Sequence, residues 1–237
     1  MKLSLIVPMY NESAIIADSV KLYADYLSAH FPEAELIVVD DGSTDGSAGI
    51  VEELGLPNVR VLSYQPNHGK GYAVKTGMMA ATGELAMFLD ADVAYGTEVI
   101  ARAAELMEKN PDKQVLLGSR TLHPAGYAGY TFLRKLASRT YIKVLNIAGG
   151  FRLSDSQCGC KAYRAPAVRE IFSRVETEGF AFDFETILWA QKLGYDFVEM
   201  PVQVINHRAS KVHVFRDTFR MLGELRRMKK RIRSART

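Results

Sequence analysis

Five short apolar runs, each ending in polar or turn residues, constrain the fold of this chain more than any other feature. They are LSLIVPMY (3–10), AELIVVDD (34–41), NVRVLSY (58–64), ELAMFLDAD (84–92) and QVLLGSR (114–120). Between the first four lie stretches with helical spacing, from Glu12 to His30, Gly46 to Leu54 and Gly69 to Ala81. Near-continuous apolar strands that alternate with helices imply a mostly parallel central sheet, covered on both faces, and so an α/β fold. In open sheets of this kind the ligand sits beyond the carboxyl ends of the strands. Tyr10, Asn11, Asp40, Asp41, Asp90 and Asp92 all fall at such ends, so acids and small polar residues converge on one edge as a candidate site.

A chain of 237 residues suffices for one such core plus an appendage. The composition, 48% hydrophobic and 24% charged, is that of a globular rather than a disordered protein. No apolar run reaches the 18 residues that suggest a spanning helix. Met1 and Lys2 lead straight into LSLIVP, too short for the apolar core of a secretion signal, so the expected location is cytoplasmic. The net charge of +3 hides an asymmetry: from Arg208 to Thr237 eleven Lys/Arg face two Asp/Glu, a balance of +9 that leaves the rest at −6. A basic end on a mildly acidic body suits an anionic surface, either nucleic acid or lipid headgroups.

After Arg120 the alternation stops. A basic helix is expected over Thr131 to Ile147, another over Phe182 to Leu193, then a short strand, DFVEMPV (196–202). The last 25 or so residues read as a helix with Phe215, Phe219, Leu222, Leu225, Met228 and Ile232 on one face, flanked by Arg216, Arg220, Arg226, Arg227 and Lys230. Such a helix suits a membrane interface; packing on the domain with a solvated basic face is the alternative. The expected organisation is a domain over 1–207 and a basic amphipathic tail over 208–237.

The segment DSQCGCKAYRAP (155–166) holds the only two cysteines, Cys158 and Cys160. A structural zinc site needs a second ligand cluster, which is absent, and residues two apart seldom meet disulfide geometry. Both are expected to pack as small hydrophobes. VVDDGSTDG (38–46) has near-EF-hand spacing, but a strand precedes it where that motif needs a helix. It reads instead as a strand delivering two carboxylates to a Gly/Ser turn. NHGKGYAVKTG (67–77) fails as a P-loop because no Ser or Thr follows Lys70, yet two glycines around a lysine ahead of a helix suit an anion. FLDADV (88–93) is the most pointed motif. Two carboxylates at i and i+2 beyond a buried strand can turn toward one Mg²⁺ or Mn²⁺ that also bridges a diphosphate.

VPMYNE (7–12), VVDDGSTDG, NHGKG and LDADV, in this order and spacing, resemble the inverting family 2 glycosyltransferases of GT-A fold, through about residue 207. The resemblance implies a nucleotide-sugar site formed by Pro8, Tyr10, Asn11, Glu12, Asp40, Asp41, Gly42, Ser43, Lys70, Asp90 and Ala91, with Asp90 and Asp92 on the metal and diphosphate. The ED pair and QxxRW helix of the processive members are absent, and FDFE (182–185) takes the place where other members put the base. GSR (118–120), Arg134 and Ser138 are similar to the acceptor-phosphate residues of dolichyl-phosphate mannosyltransferases. DSQCGCKAYR is similar to a segment of the dolichyl-phosphate glucosyltransferases, departing at Cys160, and no amino-terminal anchor like that of the eukaryotic enzymes is expected from the residues before LSLIVP.

The implied reaction is inverting transfer of glucose from UDP-glucose to a polyprenyl phosphate, at the cytoplasmic face of a membrane. GDP-mannose as donor, or a saccharide acceptor, is the alternative. Asp90, Asp92, Arg120 and Gln157 are the expected catalytic residues, with Arg120, Arg134, Ser138 and Lys161 on the acceptor phosphate. A basic-tailed nucleic-acid binder is the rival class; the intact DAD pair and crowded strand ends argue against nucleic acid as a partner.

Overall fold

The computed structural model describes residues 1–206 and 214–235, with the backbone alone for 132–134, 136–138, 141 and 214–221. Among the described residues seven strands, β1 (Leu3–Met9), β2 (Glu35–Asp40), β3 (Val59–Ser63), β4 (Leu85–Leu89), β5 (Val115–Ser119), β6 (Cys160–Arg164) and β7 (Phe197–Pro201), form one sheet in the order β3-β2-β1-β4-β6-β5-β7. Every pairing is parallel except those of β6, which runs antiparallel between β4 and β5. The five expected strands and the DFVEMPV strand are present. The β6 strand was not expected, because its one charged core position, Lys161, hides the apolar pattern of CKAYR.

Among the described residues eight helices accompany the sheet: α1 (Ile16–His30), α2 (Ser47–Glu53), α3 (Lys70–Ala80), α4 (Glu98–Lys109), α5 (Phe132–Gly149), α6 (Ala165–Phe172), α7 (Phe182–Lys192) and α8 (Val214–Ser234). Alternation along β1 shows how both faces are covered. Leu3, Leu5, Val7 and Met9 point to the layer that includes α1 and α4, with Val20, Leu27, Ile100 and Met107. Ile6 points to the opposite layer with Val74 and Met78 of α3, Phe172 of α6 and Phe184 of α7.

Over its second half the tail packs on the domain, the alternative of the two readings above. Leu225, Met228 and Ile232 of α8 are buried in that second layer, and the helix packs on α5 and α7. Lys192 at the end of α7 donates to the carbonyls of Ile232 and Ala235, and Lys229 donates to that of Ala148 at 2.8 Å. The apolar stripe that suggested lipid is therefore used inside the protein over this half of the helix, and the boundary expected at 207/208 lies outside the described residues. The side chains of Phe215 and Phe219 lie outside the described residues. Among the described residues no helix is long and apolar enough to cross a membrane.

Candidate active site

Because β1, β2 and β3 spread one way from β1 and β4 returns to its other side, the crevice between β1 and β4 is a topological switch point, where α/β sheets bind ligands. Three consecutive residues after β1 are fastened to the turn after β2. The Asn11 amide donates to Ser43 Oγ at 2.9 Å, the Glu12 amide to Ser47 Oγ at 2.9 Å and the Ser13 amide to Asp45 Oδ2 at 2.9 Å. Asn11 adopts a φ of +53°, tolerated by Asn, and its Oδ1 accepts from the Thr44 amide at 2.8 Å. This lacing holds Tyr10, 47% exposed, beside the buried Asp40, whose Oδ1 accepts from the Ser43 amide at 3.0 Å. Pro8, Gly42 and Ser43 lie on the same edge.

Asp41, also expected on the nucleotide, turns its carboxylate to a neighbouring loop. Its buried carboxylate accepts from Tyr64 Oη at 2.9 Å, Asn67 Nδ2 at 2.7 Å and the amides of His68 and Gly69 at 2.9 and 2.7 Å. Four bonds to one loop saturate it as the organiser of the turn that presents Lys70. From that turn, the first residue of α3, Lys70 reaches across to Asp90 and forms an ion pair. Burial disfavours the Lys70 ammonium, but Asp90 and Asp183 outweigh it and raise its pKa above the ordinary lysine value.

Asp90 and Asp92 follow β4 directly, flanking the buried Ala91. Tyr23 of α1 donates to the Asp90 carbonyl at 3.0 Å, Asn206 Nδ2 to the Asp92 carbonyl at 2.6 Å, and Asp92 Oδ1 accepts from the Ala94 amide at 3.2 Å. The next residue, Val93, stands at φ +51°, a conformation that costs a β-branched residue about 1–3 kcal/mol and that clusters at functional sites. Opposite Asp90, the chain entering β6 comes so close that a Cβ on Gly159 would lie 2.2 Å from Asp90 Oδ2. A side chain in the middle of Cys-Gly-Cys would displace the Asp90 carboxylate, so the glycine shapes the cradle around it.

An all-oxygen pair of carboxylates on a cradled turn suits a hard divalent cation that takes its remaining ligands from substrate oxygens. Among the described residues no group of three or more His, Cys, Asp or Glu could hold a metal by itself.

On the other side of β4 the charges are paired with one another. Arg120, beyond β5, grips the fully buried Asp155 with Nε–Oδ2 at 2.7 Å and Nη2–Oδ1 at 3.0 Å. Its expected role on the acceptor phosphate is corrected to that extent: it brings its countercharge with it. Gln157 lies on this edge, its amide donating to Asp155 Oδ1 at 3.3 Å. Lys161, also expected on the acceptor, is fully buried; its ammonium pairs with Asp183 and donates to the Cys158 carbonyl at 3.0 Å. An ammonium enclosed in this way cannot meet a substrate, so the expectation is overturned. Burial pushes the Asp183 carboxyl above its ordinary range, against the opposing pull of Lys161 and Lys70. Arg134 and Ser138 fall on the first two turns of α5, and their side chains lie outside the described residues.

Tyr23, Gly159 and the Lys161–Asp183 pair were not singled out for these roles by sequence reading. Only Gly159 carried a usable signal, a glycine where a strand begins, which often marks a close approach.

Three comparisons bear on this geometry. The model for Glycosyl transferase family 2 matches residues 4–172. A dolichyl-phosphate beta-glucosyltransferase of Dictyostelium discoideum is 31% identical over 96% of this chain and 73% of its own length. Another, from Trichomonas vaginalis, is 34% identical over 84% of this chain and 63% of its own length. Among solved structures, glucosyl-3-phosphoglycerate synthase from Mycobacterium tuberculosis, in complex with Mn²⁺, UDP and phosphoglyceric acid, superposes with a TM-score of 0.71 at 20% identity, covering 100% of this chain and 80% of its own. That likeness is one of fold, and the seven-stranded mixed sheet agrees with the GT-A architecture. On the family model and these relatives together, the chain is a glycosyltransferase that belongs to glycosyl transferase family 2.

Proposed function

We propose that the protein transfers glucose from UDP-glucose to a polyprenyl phosphate, with inversion at the anomeric carbon. The observation that carries this reading is the approach of the Asp155–Lys161 segment to the carboxylate pair, with Gly159 packed on Asp90. The segment that resembles the dolichyl-phosphate glucosyltransferases thereby faces the place where a donor diphosphate would lie. The names of the two relatives, dolichyl-phosphate beta-glucosyltransferases, support glucose as the sugar and a polyprenyl phosphate as the acceptor.

Pro8, Tyr10, Glu12 and Asp40 hold the nucleotide on the laced β1 and β2 loops, and Lys70 stands where it can reach the diphosphate. Asp90 and Asp92 would hold Mg²⁺ or Mn²⁺, which supplies positive charge to the leaving diphosphate. An oxygen of the acceptor phosphate attacks the anomeric carbon, the new carbon–oxygen bond forms, and the bond to UDP breaks on the opposite face. A phosphate monoester with a second pKa near 6 is already largely dianionic at pH 7, so no strong base is required. The burial of Asp183 against Lys161 fits this: the first acid of FDFE is engaged with a buried ammonium and does not face the acceptor as an open base. Arg120, Arg134 and Ser138 define the side from which the acceptor phosphate arrives, with Gln157 beside the sugar.

The lipid-facing surface is the outer side of α5 and α8. Arg226, Arg227, Lys230 and Arg233 of α8 are exposed, as are Arg139 and Lys143 of α5, with Val144 at 40% and Ile147 at 71% exposure beside them. Cations with a few apolar side chains fit an anionic headgroup layer, and the protein docks there peripherally, on the cytoplasmic side. The deciding experiment incubates purified protein with UDP- and GDP-sugars, a polyprenyl phosphate and Mg²⁺ or Mn²⁺. Lipid-linked glucose formed from UDP-glucose alone is expected; preferential use of GDP-mannose, or turnover without lipid phosphate, would refute the proposal.

A further inference from the structure

The family model stops at residue 172, yet a chain of contacts that begins far beyond it, on α8, ends at Lys70. Arg231 of α8 extends its two terminal nitrogens to two carboxylates, Nη1 to Glu176 and Nη2 to Glu185. Glu185, on α7, is fully buried. Besides Arg231 it accepts from the amide of Glu176 at 3.1 Å and that of Thr177 at 2.8 Å, so it fixes the loop between α6 and α7 from within. A buried carboxylate is tolerable only with such partners, and Arg231 supplies the countercharge.

The residue after that pair touches the candidate site. The Glu178 carbonyl accepts from the Gly71 amide at 2.6 Å and the Tyr72 amide at 3.1 Å, two of the donors left over at the start of α3. The Glu178 carboxylate also lies 3.4 Å from His68 Nδ1. The approach leaves no room for a side chain: a Cβ on Gly71 would stand 2.5 Å from the Thr177 carbonyl oxygen. Lys70 sits inside this clasp, between the loop held by Asp41 and the helix start held by Glu178, with its ammonium on Asp90.

We propose that Arg231 is a positioning residue for the donor site: by neutralising and orienting Glu185 it sets the 176–178 loop, which sets the first turn of α3 and hence Lys70. Helix α8 is then part of the machinery that readies the diphosphate site, in addition to covering the core. The proposal rests on the reading that UDP binds at the Lys70/Asp90 edge.

The test compares Arg231→Met and Arg231→Lys with Met228→Ala, which loosens α8 in the core without touching the ion pairs. Three quantities are measured: thermal midpoint, UDP affinity in the presence of Mn²⁺ by calorimetry, and amide exchange at Gly71 and Tyr72. Arg231→Met is expected to weaken UDP about tenfold, within the range of mutations that act through intermediate contacts. Arg231→Lys, which keeps the charge but not the two-pronged bridge, falls in between and preserves the fold. Met228→Ala lowers the midpoint but leaves UDP affinity within about twofold of the parent. Wild-type affinity in Arg231→Met, or an equal loss in Met228→Ala, would overturn the proposal. If the parent protein binds no UDP, the donor reading fails by itself. Faster exchange at Gly71 and Tyr72 in Arg231→Met but not in Met228→Ala would then still establish the link, and unchanged exchange would remove it.

Discussion

The two sides of the β1/β4 crevice treat their charges differently. Beyond the carboxyl end of β2, the carboxylates are held by backbone amides and neutral side chains: Asp40 by the Ser43 amide, Asp41 by two amides, Asn67 and Tyr64, Asp45 by Ser13 and Ser47. On the side of β5 and β6, and behind it on α7 and α8, the carboxylates are held by cations: Asp155 by Arg120, Asp183 by Lys161, Glu185 by Arg231. The first arrangement leaves net negative charge at the strand ends, which only a cation can reconcile with a diphosphate. The second leaves charge balanced within the protein: Arg120 and Lys161, which look from sequence like part of a clamp for an anionic acceptor, each carry an internal partner. Lys70 joins the two sides, bonded to Asp90 and held in place from both.

The largest effect should fall on the amide-held side. Asp92→Ala removes one of two carboxylates available to a divalent ion, and product formation from UDP-glucose and polyprenyl phosphate should drop about a thousandfold, the scale of a lost electrostatic contact to the transition state. Full activity in that variant would show that charge on this side is not what the reaction uses. On the cation-held side, Lys161→Met strands a buried Asp183 and should cost about 3–5 kcal/mol in chemical denaturation. Lys161→Met combined with Asp183→Asn should recover much of that loss, since no buried charge then remains. If the double variant is as unstable as the single one, the pair does more than balance charge.

The amide-held side was also the legible side. Its strands are apolar runs whose acids come immediately after them, so Tyr10, Asp40, Asp90 and Asp92 could be placed on one edge from local pattern alone. Asp41 could not be told from Asp40, since the loop that saturates it arrives from 23 to 28 residues away. The other side depends on tertiary facts: β6 inserts antiparallel between two parallel strands, and its Lys161 finds Asp183 across 22 residues. The periodicity of α8 announced an apolar face but not what covers it, because a helix face suited to lipid and one suited to a protein core have the same pattern. Helices α4 and α6 were not anticipated.

Gly159→Ala tests the junction of the two sides. The added methyl would collide with Asp90 Oδ2 at 2.2 Å, so the carboxylate or the β6 entry must move. Mn²⁺-dependent UDP affinity should fall about tenfold, as expected when a misplaced ligand loses most of one charge-assisted contact of about 1.5–3 kcal/mol. The same substitution at Gly179, whose added Cβ would meet nothing within 4 Å, should leave affinity unchanged.

The smallest effect concerns the two cysteines beside that glycine. Both are fully buried, and burial pushes the Cys158 thiol up to about 11, with Cys160 raised as well. The thiolate is the reactive form, so at pH 8 neither should react with a thiol reagent in the folded protein, whereas both should react on unfolding. The pH dependence of stability follows in sign. The unfolded chain ionises near the ordinary thiol value while the folded one keeps its proton, so stability should decline as the pH rises from about 9 towards 11. Rapid labelling of either cysteine at pH 8 without loss of fold would mean that the β6 entry opens in solution. The close packing of Gly159 on Asp90 would then be one of several arrangements of the site.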